Sequence, residues 1–125
     1  MNNLKLNVIG NRIEITKDTY STQGSVNYDS CTFTFDSEWD SFEKTAVFGF
    51  GNSDCIRVTL EDDTCAIPAL CMQKQGFIRI GVYGINPEGT VIATNAVAHR
   101  VDEGVGNLDD WFEEDRSFVY NALAE

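Results

Sequence analysis

Histidine is nearly absent from this 125-residue sequence, His99 being the only one. That scarcity works against an imidazole-built metal centre, and against a serine nucleophile served by a nearby base. No C-x-x-C pair occurs, since Cys31, Cys55, Cys65 and Cys71 are spaced 24, 10 and 6 residues apart. Zinc-ribbon and thioredoxin-like readings therefore fail. The cysteines read as reduced thiols filling a core, with a disulfide as the second choice. Positive charge is also scarce: nine bases face 20 acids, for a net charge of −11. Such a field repels phosphate backbones and anionic lipid, so neither nucleic acid nor membrane is an expected partner. No apolar run approaches the length of a membrane span. The opening "MNNLKLNVIG" has no basic n-region followed by an apolar core, so synthesis and assembly in the cytosol are expected.

Phosphate-binding glycine loops are missing too. "FGFGNS" and "GVGN" contain glycine pairs, but no G-x-G-x-x-G follows a strand and opens a helix, and there is no G-K-[ST]. Acids are plentiful yet poorly arranged for catalysis. Asp36, Glu38, Asp40 and Glu43 crowd one connection, and Glu61, Asp62 and Asp63 crowd another. Acid–base chemistry needs carboxylates converging on a pocket with separated proton affinities, whereas acids on exposed turns stay solvated. Calcium is the stronger alternative, but "DSEWDSFE" lacks the D-x-D-x-D-G spacing and "EDDT" is too short to supply six ligands. No catalytic residue, metal ligand or cofactor is assigned.

What the sequence does have is alternation. Leu4, Leu6 and Val8 share one face of a segment joined through Gly10 and Asn11 to a second, with Ile13 and Ile15 inward. Gly-Asn accepts the positive φ of a tight hairpin turn. "KDTYSTQG" reads as a loop or short edge segment. Further strands follow with Cys31, Phe33 and Phe35, with Ala46, Phe48 and Phe50, and with Ile56, Val58 and Leu60 facing inward. Cys65 and Ile67, then Ile78, Ile80 and Val82, continue the pattern, and "TVIAT" and "AVAHRV" add two more. Gly81 and Gly84 mark an expected bend or bulge. His99, alternating with Val97 and Val101, is expected to be packed or on an edge strand. The fold class is mainly β: an antiparallel β-sandwich of about eight short strands over residues 1–104.

Residues 105–125 change character. Asn107 can cap a helix, and Asp109 and Asp110 would fall in its first turn, where the helix dipole favours negative charge. Leu108, Trp111, Phe112, Phe118, Val119, Ala122 and Leu123 recur at spacings of three and four, predicting one amphipathic C-terminal α-helix. From Asn107 onward there are six acids and one base in 19 residues. Trp111, Phe112, Phe118, Val119 and Leu123 form the expected partner-contact stripe, because apolar residues on a terminal helix require cover.

Aromatic residues in the acidic connection pose a separate question. Trp39 and Phe42 are either plugs over one end of the sandwich or exposed platforms for sugar, the plug being favoured by the transfer energy of a buried indole. Tyr83, with Tyr20 and Tyr28, is a further candidate for an exposed contact.

"FTFDSEWDSFEKTAVF", the acidic turn into "CAIP", "GFIRIGVYG" and "ATNAVAHRV" together resemble the N-terminal β-sandwich domain of baseplate and tail-fibre proteins of tailed phages infecting Gram-positive bacteria. The resemblance covers about residues 30–102, with the helix added by position. It implies a non-enzymatic structural virion protein that attaches to other tail or baseplate proteins, and the apolar stripe of its helix is expected either to oligomerise or to pack on the sandwich. The stripe makes a homo-oligomer the expectation; three copies would suit a fibre, but the stripe does not set the number. Proteins of this kind usually continue beyond the first helix, so a receptor-reading part is not represented in these 125 residues. The alternative is a carbohydrate-binding module recognising host surface glycan through Trp39, Tyr83 or Tyr28. A metal-assisted hydrolase ranks last.

Overall fold

The computed structural model describes residues 2–51 and 54–105. Ten strands run in chain order: β1 (Asn2–Ile9), β2 (Arg12–Lys17), β3 (Ser21–Thr22), β4 (Asp29–Phe35), β5 (Glu43–Phe50), β6 (Asp54–Thr59), β7 (Thr64–Ala66), β8 (Gly76–Ile85), β9 (Val91–Ala93) and β10 (Val97–Asp102). They form two sheets. The four-stranded sheet has the order β2-β1-β4-β7; the six-stranded sheet has the order β3-β10-β8-β5-β6, with β9 also paired to β8.

Alternation places the core between these sheets. Leu4, Leu6, Val8, Ile13, Cys31 and Phe33 point inward from one; Ala46, Phe48, Ile78, Ile80, Val82 and Val101 do so from the other. The first hairpin forms as its pattern dictates, with Ile9 opposite Arg12 and Gly10 at φ +55°. At "EDDT" the chain changes sheets. Asp62 and Asp63 both take positive φ, a conformation that aspartate tolerates, and Phe33 N–H then donates to the Asp63 carbonyl at 2.8 Å.

Three expectations are corrected. The strands number ten among the described residues. The sheets are mixed, because β1 pairs with β4 in parallel and β3 pairs with β10 in parallel. Gly81 and Gly84 form no bulge, since the β5–β8 register is continuous from Glu43↔Ile85 to Gly49↔Arg79. Both instead permit close approach. A Cβ on Gly84 would lie 2.9 Å from Trp39 Cζ3 and from Phe42 Cβ, and one on Gly81 would lie 3.3 Å from the Asn95 carbonyl oxygen. Helical structure among the described residues is confined to two short 3-10 turns, Ser37–Trp39 and Ala69–Met72. The predicted C-terminal helix, with Trp111, Phe112, Phe118, Val119 and Leu123, lies outside the described residues.

Candidate functional site

Three places bring chemistry-bearing side chains together: the acidic corner, a polar network between the sheets, and the outer face of the six-stranded sheet. At the corner, Trp39 is fully buried. Its ring packs on Phe35 and Phe42, at centroid distances of 5.1 and 6.1 Å, and its Nε1–H donates to the Gly10 carbonyl at 2.8 Å. Trp39 is therefore a plug; as an exposed contact it is corrected, because burial of the indole and satisfaction of its N–H leave nothing to present. Phe42 is half-buried behind it. Glu38, Asp40 and Glu43 face water, but Asp36 turns back and accepts from Gly10 N–H at 3.0 Å. That bond ties the corner to the first hairpin turn. Among the described residues no three His, Cys, Asp or Glu side chains are grouped to hold a metal ion.

The inter-sheet network was not foreseen. Ser21 on β3 meets His99 on β10, Oγ to Nε2, at 2.7 Å, and His99 Nδ1 lies 3.1 Å from Asp18 Oδ1. The order Ser–His–Asp resembles a hydrolytic triad, yet its burial is inverted. Ser21 and His99 are buried, at 0% and 1% exposure, while the Asp18 side chain is 67% exposed. The Ser21 hydroxyl donates to Asp29 Oδ1 at 3.0 Å, and Asn2 Nδ2 donates to the same oxygen at 3.0 Å. With its proton committed to Asp29, Ser21 Oγ accepts from His99 Nε2–H, which fixes one ring proton. Asp18 forms an ion pair with the ring only when Nδ1 is protonated as well. A nucleophile must be reachable and must surrender its proton to the base; here Ser21 does neither. The network joins β3 and β10 of one sheet to β1 and β4 of the other.

The cysteines are all free thiols. Cys31 and Cys65 face each other across β4 and β7. Their hydrogen bond, and then burial, raises Cys31 above the ordinary thiol range, while the same bond lowers Cys65. Burial pushes Cys71 up from 9.0 to about 12. A raised folded value means that the unfolded chain ionises first, so stability present below about pH 9 is lost as pH climbs toward about 12. Replacing Cys71 by valine should therefore flatten the fall in urea midpoint across this alkaline range, leaving a residue from Cys31. An unchanged slope would show that Cys71 carries none of it.

The third place is a groove of about 300 Å³ on the outer face of the six-stranded sheet. Strand register builds it. Gly49 of β5 lies between Arg79 of β8 and Cys55 of β6, and Val47 lies between Gly81 and Arg57. The two glycines provide a low floor. Tyr83, half-buried, closes one side, and residues 93–96 form a wall. Arg79 lies across Gly49, where a Cβ would meet its guanidinium at 2.8 Å, and its Nη1 reaches the Gly51 carbonyl at 3.4 Å. The wall is fixed from behind. Asn95 Oδ1 accepts from Ile13 N–H at 2.9 Å and its Nδ2 donates back to the Ile13 carbonyl at 3.3 Å, imitating a strand partner for β2. Nothing in the local sequence around Asn95 signals this long-range pairing.

The two outer faces differ in character. The four-stranded sheet presents Asn3, Lys5, Asn7, Ser30, Thr32 and Thr34, with Ser30 and Thr32 both donating to Asn3 Oδ1, and one exposed apolar side chain, Ile9, at its hairpin end. The six-stranded sheet presents Phe77, Ile85 and Val91, exposed by 61%, 46% and 60%, with Arg57, Arg79 and Arg100 among them. Of Trp39, Phe42 and Tyr83, expected as exposed aromatic contacts, Tyr83 alone lines the groove. No protein-family model matches the chain, and no curated protein matches it.

Proposed function

We propose that this chain is a non-enzymatic structural component of a phage virion that attaches to tail or baseplate neighbours and self-assembles through residues 107–125. The supporting observation is the asymmetry of the two outer faces. The four-stranded face is a polar ladder of Asn, Ser and Thr with a single exposed Ile9 at its end, whereas Phe77, Ile85 and Val91 together on the other face gain from cover. Such a face suits protein contact better than a solvated surface. The resemblance to baseplate and tail-fibre attachment domains names the kind of neighbour, and the apolar stripe Trp111, Phe112, Phe118, Val119 and Leu123 supplies the assembling element. Glycan recognition is the second reading, and it rests on Tyr83 in the groove, since Trp39 is sealed inside.

Light scattering tests the assembly. Phe118→Asp places a carboxylate in the stripe, at a cost well above the roughly 1.4 kcal/mol that shifts an association tenfold. The expected result is a fall from the oligomer mass to that of a single chain. A wild-type chain that is already a monomer, or a variant of unchanged mass, would end the assembly reading.

A further inference from the structure

We propose that Cys31 and Cys65 are a redox-closable pair, a modification site at which a small-molecule disulfide oxidises the two thiols to a bridge that staples β7 to β4.

Strand register brings the pair together. Cys31 and Cys65 are direct partners in the antiparallel β4–β7 ladder, so both side chains stand on the same face. Two residues to one side, Phe33 N–H bonds to the Asp63 carbonyl; two to the other, Ile67 N–H bonds to the Asp29 carbonyl. That phase makes the cysteines a hydrogen-bonded backbone pair, with Cα atoms about 5.5 Å apart. Disulfides span about 4.4–6.8 Å between Cα atoms, so closure needs rotation of side chains and no separation of strands. The two thiols already hydrogen-bond to each other. The remaining cysteines lie elsewhere: Cys55 is exposed on the outer face of the six-stranded sheet, and Cys71 is buried on the Ala69–Met72 turn.

The members of the pair are unequal in the way exchange requires. Cys31 is fully buried, whereas Cys65 is half-buried on the outermost strand of its sheet. The hydrogen bond from Cys31 favours the Cys65 thiolate, against the opposing effect of burial. Cys65 is therefore the nucleophile and Cys31 the resolving thiol. With glutathione disulfide as oxidant, the Cys65 thiolate attacks one glutathione sulfur and expels the other as thiolate. Cys31 then loses its proton to water, attacks the Cys65 sulfur and expels the second glutathione thiolate. In sum one S–S bond breaks and one forms. Two electrons pass from the cysteines to glutathione, and both protons reach the departing thiolates through water.

β7 is a short strand of three residues whose only strand partner is β4, and it follows the crossing between sheets at Asp62 and Asp63. A bridge there fixes the crossing and restricts the unfolded chain. Only the timing rests on the reading above: a virion component is made in reducing cytosol and carried into oxidising surroundings, so the staple closes after assembly.

The folded, reduced full-length protein is incubated with excess glutathione disulfide at mildly alkaline pH. Remaining thiols are blocked with iodoacetamide, and peptides are mapped without reduction by mass spectrometry. The expected product carries a Cys31–Cys65 bridge and glutathione at Cys55 alone, with fragmentation placing the link at Cys65 and not at Cys71. Cys31→Ser should trap glutathione on Cys65, because nothing is left to resolve it. Cys65→Ser should leave Cys31 unmodified, because that thiol is buried. Circular dichroism verifies that each variant is folded, and the wild-type map decides the pairing without them. A bridge formed only in urea, a bridge joining any other pair, or no bridge at all would overturn the proposal. Because the assay uses the purified chain, its failure leaves the attachment reading standing, and loss of that reading leaves the bridge.

Discussion

Trp39→Ala should lower stability by about 3–5 kcal/mol, the range for truncating a fully buried aromatic side chain. Small domains hold only about 5–15 kcal/mol in all, so the variant should sit close to its unfolding transition. The indole has no exposed surface, and the structure has left space for it by placing glycine at position 84. Phe35 and Phe42 pack on its two sides, so removing the ring opens a cavity that no neighbour can fill without moving a strand. The variant also strips the Gly10 carbonyl of its donor. Trp39→Phe separates these contributions: it keeps most of the packing and should lose about 1–3 kcal/mol for the missing hydrogen bond and residual void. Urea titration followed by circular dichroism reads both. If Trp39→Ala stayed within about 1 kcal/mol of wild type, the corner would not be a plug.

The inter-sheet network predicts a gradient of effects that follows burial. His99→Ala should cost about 3–5 kcal/mol, because it leaves Ser21 and Asp29 facing an empty, water-poor space. Ser21→Ala removes the bridge but not the ring, and should cost about 1–3 kcal/mol. Asp18→Asn should cost no more than about 1 kcal/mol, since its side chain is two-thirds exposed and water screens the contact. A hydrolytic triad would depend on its acid; a latch between sheets depends on its interior members. Equal losses for Asp18→Asn and His99→Ala, measured by the same titration, would reverse that assignment.

The alternating strands were legible because period-two burial is written locally, residue by residue. Leu4, Leu6 and Val8 could face only one way once Gly10 and Asn11 made the turn. Trp39 was legible for a related reason, since transfer energy favours burying an indole wherever a corner can receive it. Partners far apart in sequence were another matter. Ser21 and His99 are 78 positions apart, and no local pattern tells a strand histidine which hydroxyl it will meet. Parallel pairing was hidden for the same reason: alternation fixes which face is buried, not which neighbour lies alongside. Gly81 and Gly84 show a third kind of blindness. A glycine in a strand permits either a bulge or a close approach, and only the arrival of Asn95 or Trp39 from elsewhere decides between them. The outer-face groove was invisible in sequence because it is defined by what Gly49 and Gly81 leave out.

Val97–Asp102 forms the last described strand, yet it lies inside its sheet, with β8 along one edge and Ser21–Thr22 along the other. On a translating ribosome, everything before it can emerge while that slot stays empty. Hairpins such as Asn2–Lys17 can form at once, but the six-stranded sheet cannot close until the last of its described strands is threaded home. Contacts between distant positions slow folding because loop entropy is lost before they form. Until Val97–Asp102 arrives, Gly76–Ile85 and Ser21–Thr22 each have an open edge, the kind of surface on which partly folded chains aggregate.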